Sequence, residues 1–257
     1  MINYWIIVLI TVMLGIVLHH NKIPGSFSIV LGNLFLYNIT YVGAWWFMQT
    51  YMLLFLTSKC IIKIIDYMHP VVMSIVIFII YIVSYYFRMM NPVLTDDQFI
   101  NEIVNIIILY GTSLFSYCVG IMFKKYFIIS ILRDGLKKYS NIFGVVIIIS
   151  CFIVHIIIKS MIVAPFTALL FICGFSLLTL NSKLKKVLCF MGKHSTNIWL
   201  IHMQFYMVFF KDVIFQTNTV IGCFIIVLIL CICCSFFIKY LVKRIVKVIC
   251  LKNNQNL

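Results

Sequence analysis

The chain contains eight apolar stretches that can be interpreted as membrane-spanning helices, and they restrict its fold more than any other feature. A bilayer core requires about 20 mostly apolar residues per helix. The predicted helices are Tyr4–His20, Ala44–Ile65, Val71–Met90, Ile103–Phe123, Ile142–Ile158, Met161–Leu180, Thr196–Phe210 and Val220–Ile238. Of the 257 residues, 64% are hydrophobic and 10% are charged, whereas soluble domains are about 45–50% apolar and about 25% charged. The sequence therefore excludes a water-soluble fold and predicts one all-α, polytopic membrane domain over residues 1–257.

Positive charge alternates along the chain with the predicted helices. Lys and Arg number 20 against 6 Asp and Glu, which gives a net charge of +14. The basic residues cluster at the end of the second predicted helix and after the fourth, sixth and eighth, within Lys59–Lys63, Lys124–Lys138, Lys183–Lys193 and Lys239–Lys252. Such an excess is typical of cytoplasmic loops in membrane proteins. We therefore predict that both termini face the cytoplasm, that Asn91–Glu102 lies outside, and that the charge does not serve nucleic acid binding.

Three features next to or inside the predicted helices are not predicted to take part in catalysis or in metal binding. Phe27–Tyr37 is apolar but too short to span and contains Gly32, which indicates an interfacial or re-entrant segment. His19 and His20 end the first predicted helix, where an interfacial pair needs no special role. The cysteines of Cys231–Cys234 lie in an apolar helix, where Cys behaves as a small hydrophobe. The sequence therefore predicts no metal site.

The seventh predicted helix carries the first group of candidate functional residues. Ser195 or Thr196 is expected to cap its N-terminus after a turn at Gly192. At about 100° per residue, one stripe of this helix contains Ser195, Trp199, His202 and Tyr206. A histidine inside a membrane span usually faces protein interior or water. His202 therefore either lines a polar cavity or packs, hydrogen-bonded, between helices, and the residues leave both interpretations open.

The second predicted helix begins with a group of aromatic and polar residues. Trp46 and its aromatic neighbours suit an aromatic belt at a membrane interface. Gln49 and Thr50 lie one turn deeper and face roughly the same way as Trp46. These two polar groups either bind a substrate or bond to a neighbouring helix.

Taken together, the two segments resemble motifs of a known family. Ala44–Phe55 reads AWWFMQTYMLLF, which is similar to the "WFL…Y" helix of the acyltransferase 3 family. Met191–His202 reads MGKHSTNIWLIH, which resembles that family's late "LGK-S-x-x-I-Y-L-I-H" helix. The order and separation of the segments also fit, and elsewhere the agreement is mainly in hydrophobic pattern. Members are multi-helix inner-membrane enzymes that move an acetyl or other short acyl group from coenzyme A to a sugar hydroxyl.

The resemblance implies a function and a set of site residues for this chain. The implied function is that of a membrane O-acyltransferase in a bacterial inner (cytoplasmic) membrane. It would use acyl-CoA, such as acetyl-CoA, as co-substrate, hold no bound cofactor, and modify a surface polysaccharide or glycolipid. The residues expected to line its cavity are His202, Ser195, Trp199, Tyr206, Trp46 and Gln49.

The catalytic residues of the family are not identified in this chain. The family's early His is preceded by an Arg, whereas no Arg precedes His20, and only about 25 residues separate His20 from Trp46. The resemblance therefore predicts that the chain corresponds to the C-terminal two-thirds of such an enzyme, with an upstream-encoded membrane segment as a candidate partner. A non-catalytic glycan transport or export component and an inactive remnant of the enzyme are the alternatives.

Overall fold

The structure is a computed structural model that describes residues 1–92 and 96–254. Its α-helices, numbered in chain order, are α1 Ile2–Val17, α2 Phe27–Phe35, α3 Trp46–Tyr67, α4 Pro70–Met89, α5 Gln98–Lys125, α6 Ile128–Leu136, α7 Ser140–Ile157, α8 Ala164–Leu177, α9 Ser182–Met203, α10 Lys211–Phe215 and α11 Val220–Asn254. A π-helical segment, Gln204–Phe209, follows α9 directly. The described residues contain no strand. The predicted all-α, polytopic membrane fold is confirmed.

Among the described residues, five helical segments are long and apolar enough to cross a membrane. They are Gly43–Tyr67, Pro70–Met89, Phe99–Lys125, Ile128–Ile157 and Val220–Lys247. Two of the eight predicted spans correspond to shorter apolar helices, Ile2–Val17 and Met161–Leu177. The first ends early because Leu18 leaves the helix and His19 has a φ of 49°, a left-handed conformation that a right-handed helix cannot continue. Residues 93–95 of the predicted outer loop lie outside the described residues.

The prediction that the seventh helix begins at Ser195 or Thr196 is wrong. Helix α9 begins at Ser182 and contains Gly192, and the Ser195 hydroxyl donates to the Gly192 carbonyl within the helix at 2.9 Å. A glycine inside a helix costs only about 1 kcal/mol relative to alanine. Burial of His194, Asn197 and Leu200 after Gly192 favours a continuous helix, so the glycine does not end it.

The apolar segment Phe27–Tyr37 contains the short helix α2, which ends at Phe35. The Ser26 hydroxyl accepts the Ile29 backbone N–H at 3.4 Å at its start, and Leu36 ends it with a φ of 63°. The amide of Asn33, which is fully buried, ties α2 to the following loop. Its Oδ1 accepts the backbone N–H groups of Thr40 and Tyr41, both at 3.1 Å.

The chain divides into two compact units. Unit 1 comprises Met1–Phe47 and Ser182–Leu257, and unit 2 comprises Met48–Asn181. Unit 1 is built from α1, α2, α9, the π-helical segment, α10 and α11, with α9 packed mainly on α11. Unit 2 contains most of α3 together with α4 to α8, and its main helix pairs are α4 with α5 and α7 with α8.

Helices α7 and α8 cross at two glycines. A Cβ atom added at Gly144 would lie 2.6 Å from the Gly174 carbonyl oxygen, and one at Gly174 would lie 3.0 Å from the Gly144 carbonyl oxygen. Association of helices in membranes depends on this kind of close approach at small residues, because burial of apolar surface gives little driving force there. The Gly144–Gly174 crossing therefore holds α7 and α8 together.

The basic residues of unit 2 gather mainly at one end of its helices. At one end, Lys125 Nζ at the end of α5 lies 2.7 Å from Asp66 Oδ1 near the end of α3, and the Ser140 hydroxyl donates to the Leu177 carbonyl at 2.6 Å. Lys63 near the end of α3 and the basic residues of Lys124–Lys138 belong to this end. At the other end, the Tyr85 hydroxyl lies 3.2 Å from the Ser160 hydroxyl. Unit 2 therefore has one basic end, as the alternation of charge predicts.

Gly144→Ala should lower the free energy of unfolding of the chain by about 1–3 kcal/mol, because the new methyl group meets backbone that must move. Gly120→Ala is the matched control, since no atom lies within 4 Å of a Cβ at this position on α5. Thermal unfolding in detergent measures both. An equal effect of the two substitutions would contradict the close crossing.

Candidate functional site

The two segments that resemble the family motifs contact each other within unit 1. The Trp45 indole N–H donates to the Leu200 carbonyl at 2.9 Å, and Trp45 is fully buried. The ring centroids of Phe47 and Trp199 are 5.1 Å apart, in an edge-to-face arrangement. Residues separated by about 150 positions thus form one contact, and it joins the start of α3 to the second half of α9.

Trp45, which was not among the predicted site residues, makes this contact, whereas its neighbour Trp46 was expected to line the cavity. Trp46 is half-buried and its ring centroid lies 6.1 Å from that of Phe47. Only the structure distinguishes the two tryptophans, because both suit an aromatic belt equally well. Gln49 is half-buried and belongs to unit 2.

A buried polar network joins three helices of unit 1 next to this contact. The Asn197 amide on α9 donates to the Ser235 hydroxyl on α11 at 3.0 Å, and His194 Nδ1 lies 2.8 Å from the same hydroxyl. The Asn3 amide on α1 donates to Asn197 Oδ1 at 2.8 Å. The exposed fractions are 4% for His194, 2% for Asn197 and 0% for Ser235.

This network sets the orientation of α9. His194 and Asn197 are three residues apart and so lie on one face of the helix, which turns toward α11. The sequence of the motif segment does not show that His194 and Asn197 are buried and that Ser195 is not. Ser195 itself is exposed.

An apolar cavity of about 320 Å³ lies beside the end of α9. Its lining includes His202, Tyr206, Ile214, Phe224, Leu228 and Cys231. Ser195 and Trp199, predicted on the same stripe as His202, are not among its lining residues. The stripe therefore faces the cavity only over its last turns. The cavity has the size of a small ligand site and a wall suited to an apolar group.

The hydrogen bond of His202 fixes the state of its ring. His202 Nδ1 lies 2.7 Å from the Trp199 carbonyl oxygen. A carbonyl oxygen can only accept, so Nδ1 carries the proton and donates. In the neutral ring Nε2 then keeps its lone pair, as in histidines that act as general bases.

A second, more polar cavity of about 910 Å³ lies at the end of α1. Its lining includes His19, His20, Asn21, Lys22, Thr40 and Tyr41. His20 Nδ1 accepts the Lys22 backbone N–H at 3.2 Å, so Nε2 of the neutral ring carries the proton. His20 therefore offers a donor where His202 offers an acceptor. The histidine pair without a predicted role thus lines the more polar of these two cavities.

The π-helical segment forms part of both cavities. Tyr206 lines the apolar cavity, and Met207 and Val208 line the polar one. The Leu200 carbonyl, which accepts the Trp45 indole N–H, lies just before this segment. A side chain from elsewhere that inserts into the backbone hydrogen bonds of a helix is a known cause of such departures from α-helical bonding. Segments of π-helix occur frequently at functional sites.

Gln204, the first residue of this segment, is 2% exposed. Its Nε2 is the one buried side-chain nitrogen or oxygen without a hydrogen-bond partner in the part of the chain that the structure describes. A buried unpaired amide costs about 1–3 kcal/mol. The segment between the cavities thus carries an energetic cost that packing alone does not explain.

Within residues 1–92 and 96–254, no group of three or more His, Cys, Asp or Glu side chains is placed to hold a metal ion. Comparison of the chain with family models, with curated proteins and with solved structures finds no match.

Ser235→Ala should lower the free energy of unfolding by about 1–3 kcal/mol, because it leaves His194 and Asn197 buried without their shared partner. Ser74→Ala is the control, since the Ser74 side chain is exposed on α4 and bonds only the Pro70 carbonyl. Its expected effect is within about 0.5 kcal/mol. Unfolding in detergent compares the two, and a Ser235→Ala effect as small as that of Ser74→Ala would contradict the network.

The stability of unit 1 should fall with acidification through His194. Burial, with smaller effects of Lys239 and Lys193, lowers the pKa of His194 below its ordinary value of 6.5. The folded chain therefore favours the neutral ring, and its advantage is complete above pH 6.5 and decreases as the pH falls toward the lowered pKa. The difference in melting temperature between wild type and His194→Gln should narrow between pH 7.5 and pH 5.5. A constant difference would contradict this expectation.

Proposed function

We propose that the chain is a membrane O-acyltransferase that moves an acyl group from acyl-CoA to a sugar hydroxyl of a bacterial surface polysaccharide or glycolipid. The observation that carries the proposal is the contact between the two motif segments. Trp45 donates to Leu200, and Phe47 packs on Trp199. Segments far apart in sequence that resemble one enzyme family also meet next to two cavities, which supports a shared site.

The two cavities suit the two halves of the reaction. The apolar cavity beside His202 fits an acyl chain, because its other lining residues are almost all apolar. The polar cavity fits a sugar, since the His20 ring, Asn21 and Thr40 offer hydrogen-bonding groups to hydroxyls. Neighbouring residues of the π-helical segment, Tyr206 and Met207, line one cavity each.

His202 is the proposed general base. In acyl transfer the sugar oxygen attacks the thioester carbon, and Nε2 of His202 takes the hydroxyl proton. The carbon–sulfur bond then breaks, and the coenzyme A thiolate leaves and receives that proton from the imidazolium. The bond from Nδ1 to the Trp199 carbonyl holds the ring in the required tautomer. General base catalysis of this kind contributes about 10²–10⁴-fold.

The membrane placement belongs to the same proposal. The apolar helices indicate a lipid environment, and we place the chain in the bacterial inner membrane with both termini in the cytoplasm. Coenzyme A carries several phosphates, so a basic cytoplasmic face raises its local concentration. The net charge of +14 supports this arrangement.

The test is acyl transfer by the full chain reconstituted in proteoliposomes with labelled acetyl-CoA and cell-envelope glycans. His202→Gln should lower the rate of transfer by about 10²–10⁴-fold, because it removes the base. His69→Asn is the control: His69 is exposed and caps α4 through its side chain, and asparagine also caps helices. An unchanged melting temperature of His202→Gln separates loss of chemistry from loss of fold.

Two outcomes would reject the proposal. The first is no transfer of label, either by the chain alone or together with an upstream-encoded membrane segment. The second is glycan flux across the vesicle membrane that requires no acyl donor and is unaffected by His202→Ala. That second result would favour the transport function.

A further inference from the structure

The short helix α6 lies at the basic end of unit 2 and is tied to its neighbours by hydrogen bonds. The Arg133 guanidinium donates to the Ser176 carbonyl at the end of α8. The Asn141 amide donates to the Thr179 hydroxyl at 2.6 Å, and Asn141 Oδ1 accepts the Thr179 backbone N–H at 2.7 Å. The region between α6, the start of α7 and the end of α8 is therefore a fixed site.

Helix α6 presents an apolar face that the described part of the chain leaves exposed. None of its nine residues is buried, and the exposed fractions reach 62% for Ile131 and 38% for Leu132. Apolar and charged residues segregate along this helix. A short amphipathic helix between the ends of membrane-spanning helices is suited to the boundary between headgroups and acyl chains.

Basic residues surround this helix. They are Lys124, Lys125, Arg133, Lys137 and Lys138. Lys125 is paired with Asp66, whereas Arg133 and Lys137 have no carboxylate partner within ion-pair distance in the part of the chain that the structure describes. Each basic residue near an anionic membrane surface contributes about 1 kcal/mol of attraction, or about a fivefold gain in binding.

A cavity of about 620 Å³ opens at the C-terminal end of α6. It is lined by Arg133, Asp134, Lys137, Ser140, Leu178 and Thr179. Arg133 and Lys137 contribute two positive charges to this lining, and Asp134 contributes one negative charge. A ligand with one negative charge neutralises the positive charge that remains. Lys137 has a φ of 39°, a costly conformation of the kind that clusters at ligand-binding positions.

We propose that this cavity binds the headgroup of an anionic phospholipid. The phosphate accepts from Lys137 and Arg133, a headgroup hydroxyl donates to the Asp134 carboxylate, and the acyl chains lie along Ile131 and Leu132. The fit rests on charge and on the exposed apolar face together. A zwitterionic lipid lacks the net charge, and free phosphate lacks the chains. This site is independent of acyl transfer.

Native mass spectrometry of the full chain in detergent tests the proposal. The probes are dioleoyl phosphatidylglycerol, dioleoyl phosphatidylethanolamine, dioleoyl phosphatidylcholine and inorganic phosphate. Phosphatidylglycerol should bind most tightly, and Lys137→Gln should weaken its binding about fivefold. Lys185→Gln is the matched control, because Lys185 is an exposed lysine on α9 in unit 1. Asp134→Asn should strengthen the binding of phosphatidylglycerol.

Arg133→Gln removes a bond that also holds α8, so Lys137→Gln is the decisive variant and its melting temperature is measured alongside. Equal binding of phosphatidylglycerol and either zwitterionic lipid would overturn the proposal. Equal loss in Lys137→Gln and Lys185→Gln would overturn it as well, because the effect would then be one of overall charge. Displacement of the lipid by an equal concentration of inorganic phosphate would show a phosphate site in place of a lipid site.

Discussion

The hydroxyl of Ser235 bridges the helices on which the candidate site of unit 1 depends. Apolar helices gain little by associating in a lipid environment, so polar side chains that bond across helices decide which faces meet. Ser235 takes both His194 and Asn197 from α9, and Asn197 in turn accepts from Asn3 on α1. With that face of α9 fixed, Leu200 meets Trp45, and the last turn of the helix brings His202 to the apolar cavity.

His202 and His20, which line different cavities of unit 1, show how backbone contacts select chemistry. His202 and His20 are identical side chains, yet one donates through Nδ1 and the other accepts there. Because Nδ1 of His202 donates to a carbonyl, Nε2 of that neutral ring remains a basic nitrogen. Because Nδ1 of His20 accepts from a backbone amide, Nε2 of that neutral ring carries the proton and can donate. The difference arises from local chain geometry: a helical carbonyl three residues earlier in one case, and a turn after α1 in the other.

Hydropathy and charge alternation were sufficient to predict the all-α membrane fold and the basic end of unit 2, because both depend on composition along the chain. The start of α9 was mispredicted, since the signal at Gly192 is local whereas the burial of His194 depends on α11. The π-helical segment was beyond prediction, because the carbonyl before it meets Trp45 from a distant segment. Ser195 and His202 share an ideal stripe, but the sequence does not show that only the end of that stripe is covered.

Helix α11 has 35 residues, which at 1.5 Å per residue gives a rod of roughly 50 Å. The hydrocarbon layer is about 30 Å thick, and the uninterrupted apolar part of α11 precedes Lys239. The remaining turns must therefore rise through the headgroups and stand in water. The last helix thus combines an apolar part that can cross the membrane with a basic end outside it, and its final turns offer positions at which labels or tethers can be attached.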